Sequence, residues 1–478
     1  MCSRKGATFL MEKQHMDVQE YLHLLGEQIQ NRHARRSVLT EMENHIEEQA
    51  EEYEAHGMEA AQARQEAVKE MGDPVCVGLD LNRLHRPKFP KGMFLLALGL
   101  MVLGIIMQGI LFQYADAPAI QQGYLGRTIC YNLFGIGIIL LFLFGNYMYL
   151  TCRAYVLYLL FLAAEVLRNP LLAMAGGNGW WFSVPVLQKY ATGYYLWMFF
   201  PVVYAALLYR LRDKGGKGIL GLHLLTAVVF GYELAFSGCI TGVAESLCLS
   251  TILLFFAVYR GIIKGPKRKR YLLASLYPIL TATGIVGLFL RQRSSYLLQR
   301  IFGTFFLKDE LNYVSSSIRQ TDFWQMSLFG GGMVSGTLPK GDLYSTYLVH
   351  SVFLWFGVVA GIIVIAALLV FAGLALYKSL RQSNRAAFLI GSVCSMGLLL
   401  RIVVYILMNF GFGIYYTVSV PFLTYGFVNC VVNAVYVGIL LCIFRNQNVL
   451  DERCMPETRH AVRKYSVDVK RLVDKMLD

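Results

Sequence analysis

The sequence predicts an all-α, polytopic membrane protein of about ten transmembrane helices, with a small cytoplasmic helical domain at its N-terminus. Three observations predict it. First, 56% of the 478 residues are hydrophobic, 13% are aromatic and only 16% are charged, with a mean hydropathy of +0.48. A soluble chain of this length needs more charge to cover its surface. Second, the apolar residues are gathered into runs long enough to cross a hydrocarbon core, from Phe94 to Phe444. Third, the first 90 residues are polar and charged, with helical periodicity.

In the N-terminal stretch, Tyr21, Leu22, Leu25 and Ile29 mark one apolar face. Leu39, Met42, Ile46, Ala50 and Tyr53 mark a second, and Ala63, Ala67 and Met71 a third. Gly57 and Gly72 fall where helices should stop, and Asp73-Pro74 reads as an N-cap followed by proline at the first helical position. Glu41, Glu43, Glu47, Glu48, Glu51, Glu52 and Glu54 crowd the second helix and read as a solvated face or a docking surface for a basic partner. His45 among these acids lacks the spacing of a metal site. The polar start carries no signal peptide. The ten cysteines are scattered without a C-x-x-C pair, which argues for apolar filling and against a disulfide or metal framework.

Spans are expected near 94–112, 128–148, 153–173, 192–209, 219–236, 240–259, 271–290, 349–377, 387–409 and 421–444. Glu233 and Glu245 interrupt the fifth and sixth, so each should face the bundle or a water cavity, where an intramembrane acid is a functional candidate. The domains are then 1–90, a helical prefix; 91–445, the membrane domain with a large outer loop at 291–348; and 446–478, a tail. Most of the +13 net charge lies in short loops: Arg210, Arg212, Lys214 and Lys217; Arg260, Lys264 and Lys267 to Arg270; Lys378, Arg381 and Arg385. Cations concentrated this way face an anionic cytoplasmic leaflet and put both termini in the cytoplasm. No basic stripe alternates with aromatic platforms, which excludes nucleic acid as a partner.

Two resemblances follow from motifs. The string from Tyr21 to Lys88 resembles a helical prefix module found ahead of permeases in Gram-positive bacteria, which implies a cytoplasmic partner of unknown kind for this domain. The membrane portion resembles the SEDS family of shape, elongation, division and sporulation proteins (FtsW, RodA, SpoVE). Pro421-Phe422-Leu423-Thr424-Tyr425-Gly426 is similar to that family's P-F-[IL]-S-Y-G before the last helix. In the outer loop, Tyr296, Arg300-Ile301, Phe305, Asp309 and Tyr313, then Gly330-Gly331-Gly332 and Leu338-Pro339, are similar to its motifs, as is Gly357 entering span eight.

The SEDS resemblance implies a peptidoglycan glycosyltransferase of the bacterial cytoplasmic membrane, polymerising lipid II at the outer face beside a class B penicillin-binding transpeptidase. It implies Asp309 as the catalytic carboxylate and Arg300, Lys308, Arg319 and Tyr425 as substrate-binding residues. A divalent cation, Mg or Mn, is the one cofactor such chemistry admits, and no residues stand out as its ligands. Departures keep two alternatives open. Gln188-Lys189-Tyr190-Ala191 replaces the family's Q-P-S-E-x-x-K stretch, and Leu354-Trp355 replaces its paired glutamates. A non-catalytic scaffold or regulator, and a binder or transporter of lipid-linked precursors, therefore stand beside the enzyme reading.

Overall fold

The computed structural model describes residues 16–113, 123–174, 193–236, 240–292, 327–329, 347–412 and 420–447. They are helices, turns and bends, without a strand among them. The chain divides into two compact units, with breaks between Phe89 and Pro90 and after Phe444.

The first unit holds α1 (Val18–Gln28), α2 (Arg32–Ala55), α3 (Ala60–Glu70) and α4 (Pro74–Leu84). Asp17 accepts from Val18 N at 2.8 Å, and Asp73 caps α4 by accepting from Val75 N at 3.1 Å, with Pro74 entering the helix. Gly57 and Gly72 have φ of 93° and 82°, the left-handed values that end a helix. Tyr21, Leu22, Leu25, Ile29, Ile46, Ala50, Ala63 and Ala67 form one buried core, joined by Val38 and Val68, while Leu39, Met42, Tyr53 and Met71 pack partly buried against it. The α2 glutamates line its open side, with Glu43 alone half-buried. Burial, and then the nearby Asp73, lift Tyr21 to about 12.

The second unit carries α5 (Lys91–Gln113), α6 (Tyr124–Leu143), the short α7 (Met148–Cys152), α8 (Ala154–Met174), the short α9 (Gly193–Trp197) and α10 (Phe200–Leu211). It continues with α11 (Gly215–Phe236), α12 (Ile240–Tyr259), α13 (Lys267–Gln292), α14 (Leu348–Leu380), α15 (Arg385–Asn409) and α16 (Phe427–Arg445). Each of the ten expected spans coincides with one of these helices, or in the fourth with the pair α9 and α10. Among the described residues, seven stretches are long and apolar enough to cross a membrane, the 40-residue Tyr194–Glu233 stretch taking in most of α9, α10 and α11. Of the two remaining helices, α8 carries Glu165, and α13 opens on four basic residues and contains Pro278.

Every residue of α10 except Arg210 is buried, which makes it the central strut. The seam between α6 and α16 is built from small residues. A Cβ on Gly135 would meet Cys430 Sγ at 2.7 Å, and one on Gly438 would meet Phe142 Cβ at 2.7 Å, so only glycine permits this approach.

The three basic loops meet at one end of the unit. Arg260 donates to the carbonyls of Leu380 and Gln382 and lies 4.0 Å from the Phe388 ring centre. Lys264 N donates to Arg212 O at 3.1 Å, and its ammonium pairs with Asp213 at 2.9 Å. The Lys264 hydrogen bond, aided by Arg212, holds the Asp213 carboxyl below its ordinary 3.8. A lowered carboxyl stabilises the fold at neutral pH and loses that contribution as pH falls through the lowered value. Asp213→Asn should therefore lower the melting temperature slightly at pH 7, with the gap closing below pH 3.8; thermal unfolding at both pH values checks it. The effect is small because Asp213 is 52% exposed.

Candidate functional site

Two places among the described residues of the membrane unit join buried polar groups to a break or turn in the backbone. The first is a buried charged centre. Glu245 of α12 and Arg401 of α15 pair at 3.2 Å through Nε, with side chains 6% and 1% exposed. Tyr194 of α9 donates to the other carboxylate oxygen at 3.0 Å. Arg401 also donates from Nε to Gly397 O at 3.0 Å and contacts Met198 Sδ at 3.7 Å, with its guanidinium 4.4 Å from the Tyr436 ring centre. Its Nη2 has no partner among the described residues. The expectation that Glu233 and Glu245 turn inward holds, since both are buried.

The centre sits against a discontinuity in span four. The helix ends at Trp197 and restarts at Phe200, with Pro201 in the first turn of α10. A proline there needs no hydrogen-bond acceptor, so a new helix starts without penalty. Carbonyls near the break are taken up from neighbouring spans: Ser246 Oγ donates to Trp197 O at 2.6 Å, and Tyr436 Oη donates to Met198 O. Broken backbone inside a membrane is stable only when such groups are satisfied by protein or water. Span eight has a second break at Gly357, whose φ of 86° interrupts α14. There Val358 N and Val359 N donate to Ser327 O and Leu328 O, from the described piece of the long interspan segment.

The second place is the Pro421–Gly426 segment. Expected at the entry of the last helix, Pro421 instead opens a tight turn, with Leu423 N donating to Pro421 O at 2.9 Å, and α16 starts only at Phe427. Proline without an N–H suits a turn as well as a helix start. Phe422 adopts φ of 66°, the one positive value at a non-glycine residue among those described. Spans one and two hold the turn in that state. Gln108 Nε2 donates to Leu423 O at 2.8 Å, Tyr124 Oη donates to Gln108 Oε1 at 2.8 Å, and Tyr425 stacks on Tyr124 with ring centres 4.1 Å apart. Gly104 lies beneath: a Cβ there would meet Phe422 O at 2.2 Å. The turn, α6 and the start of α16 enclose a small cleft lined by Thr128, Tyr131, Asn132, Phe422, Tyr425 and Cys430, among others.

Of the residues expected to act, Tyr425 is thus placed at a cleft beside the motif turn. Asp309, Arg300, Lys308 and Arg319 lie outside the described residues. The structure brings forward Arg401, Tyr194, Gln108 and Asn132, which sequence reasoning had passed over. Arg401 left a signal, a lone cation within the apolar run Leu398 to Ile406.

No family model matches the chain, and no curated protein matches it. Solved structures do. The class of fold is that of a chain from a peptidoglycan synthase complex whose structure concerns the coordination of polymerisation and crosslinking. That chain is 18% identical, with a TM-score of 0.56 over 75% of this chain and 98% of the other. The rod-shape-determining protein RodA of Thermus thermophilus, in a variant form, shares the fold at 16% identity, with a TM-score of 0.50 over 75% of this chain and 98% of its own. The fold implied by the SEDS resemblance is the fold observed.

Proposed function

We propose that the protein is a divergent SEDS-type peptidoglycan glycosyltransferase that polymerises lipid II at the outer face of the bacterial cytoplasmic membrane, in division, shape or sporulation. The observation that carries this reading is the shared fold over 98% of a chain from a peptidoglycan synthase complex. The basic loops gathered at one end support it, because a cytoplasmic assignment for them puts the segment between α13 and α14 at the outer end.

In the proposed step an acceptor sugar hydroxyl attacks the anomeric carbon of a lipid-linked donor. A C–O bond forms as the bond to the pyrophosphate breaks, and the polyprenyl pyrophosphate leaves. Asp309 takes the hydroxyl proton. Arg300, Lys308 and Arg319 neutralise the departing charge, and Tyr425 shapes the neighbouring cleft. A divalent cation, Mg or Mn, would supply further charge to the leaving pyrophosphate when bound; among the described residues no three Asp, Glu, His or Cys stand together to hold one. A class B penicillin-binding transpeptidase is the partner proposed for the membrane domain, and an unidentified cytoplasmic protein for the helical prefix.

A second reading, a non-catalytic scaffold or precursor binder, is favoured by one observation: the charged pair in the bundle is closed off, with Arg401 only 1% exposed. Purified protein incubated with labelled lipid II, alone and with a cognate transpeptidase, separates the two. The expected result is glycan polymer from wild type and a loss of about 100-fold or more in Asp309→Ala. No polymer under either condition defeats the enzyme reading; equal product from the variant removes Asp309 as the base.

A further inference from the structure

We infer that the C-terminal edge of the helical prefix, Leu79 with Arg83 to Phe89, is a docking surface for the anionic lipid headgroups of the leaflet that α5 enters. The inference is independent of the glycosyltransferase reading. It rests on a reversal of charge, on the exposure of this edge and on its attachment to two spans. Residues 41–80 hold twelve Asp and Glu against two Lys and Arg. The sign then reverses: residues 81–91 hold Arg83, Arg86, Lys88 and Lys91 and no acid. Gln30 N donates to Asn82 Oδ1 at 3.1 Å, so α4 ends beside the start of α2. That point lies about two and a half turns before Glu41, the first of the α2 glutamates. A module with its positive edge at the chain exit turns that edge toward a negative surface.

The edge is apolar as well as basic. Leu84 is 63% exposed, Leu79 43% and Phe89 41%, the three most exposed large apolar residues described in the first unit. Arg83, Arg86 and Lys88 are interleaved with them and exposed. Arg83 meets Asp80 at 3.7 Å, with both side chains in open solvent, so the pair leaves its charge available. Apolar groups set among cations fit the headgroup boundary, where the former point toward the acyl chains and the latter meet phosphates. Two attachments hold the edge at that level. Span one starts at Lys91, two residues past Phe89. Lys88 N donates to Arg445 O at 3.1 Å, the carbonyl of the last residue of α16. An acidic protein would match the charge but leaves unexplained why the edge lies at the ends of two spans.

The test is hydrogen–deuterium exchange of the full-length protein in nanodiscs of phosphatidylglycerol and of phosphatidylcholine, the latter with and without inorganic phosphate. Amides of residues 83–89 are expected to exchange about tenfold more slowly in phosphatidylglycerol, while those of α2 exchange equally in both lipids. High salt should erase the difference in wild type. The combined variant Arg83→Gln, Arg86→Gln and Lys88→Gln should lose it too. Amides of the buried Leu25 and Ala67 report whether that variant stays folded, and the salt series on wild type decides the matter if it does not. Equal exchange of 83–89 in the two lipids overturns the inference and leaves the edge to a protein partner. A difference that survives high salt or the charge substitutions also overturns it. So does slowing by inorganic phosphate in the neutral discs, because a free anion would then suffice.

Discussion

Arg401→Met alone is expected to destabilise the membrane unit by about 3–5 kcal/mol, and Glu245→Gln with Arg401→Met to recover most of that loss. The reason is the asymmetry of buried pairs. Removing the guanidinium leaves a carboxylate 6% exposed, held by Tyr194 and deprived of its countercharge. Removing both charges takes away the attraction and also the cost of burying them. Thermal unfolding in detergent of wild type, each single variant and the double variant measures the coupling. Equal losses in the single and double variants would show that Arg401 matters through packing against Tyr436 and Met198, with its charge incidental.

Gly104→Val is expected to reduce polymerisation at least about tenfold, because the new side chain must displace the motif turn. A Cβ at this position meets Phe422 O at 2.2 Å and Leu423 Cα at 3.1 Å. Both are backbone atoms, so no flexible side chain can swing aside. Moving them breaks the Gln108 bond to Leu423 O and separates Tyr425 from Tyr124; misplacing reacting groups by an ångström costs rate out of proportion to stability. Gly99→Ala is the matched control, since it lies in the same helix with nothing within 4 Å of its Cβ. Lipid II polymerisation by both variants, beside their melting temperatures, checks the prediction. Normal activity in Gly104→Val would detach the turn from the site.

The inward placement of Glu245 was legible because an ionised group cannot face hydrocarbon, and that constraint needs no partner to be named. The partner was not legible. Which cation meets Glu245 depends on how α12 and α15 rotate against each other, and residues distant in sequence carry no mark of that. Pro201 signals a helix restart, yet its effect on span four depends on Ser246 and Tyr436 arriving to satisfy the carbonyls beside the break. Pro421 was readable as a boundary but not as a turn, because the deciding contact is Gly104 on another span.

The sequence by itself determined the ten spans, the grouping of the basic loops and the helical prefix with its caps. These follow from local rules: hydrocarbon thickness, the cost of buried charge, and the hydrogen-bonding needs of helix ends. Only the tertiary structure decided the Glu245–Arg401 pair, the break it packs against and the Asn132 cleft. Each is made where side chains from separate helices converge, and helix rotation and approach are set by packing that no single segment encodes.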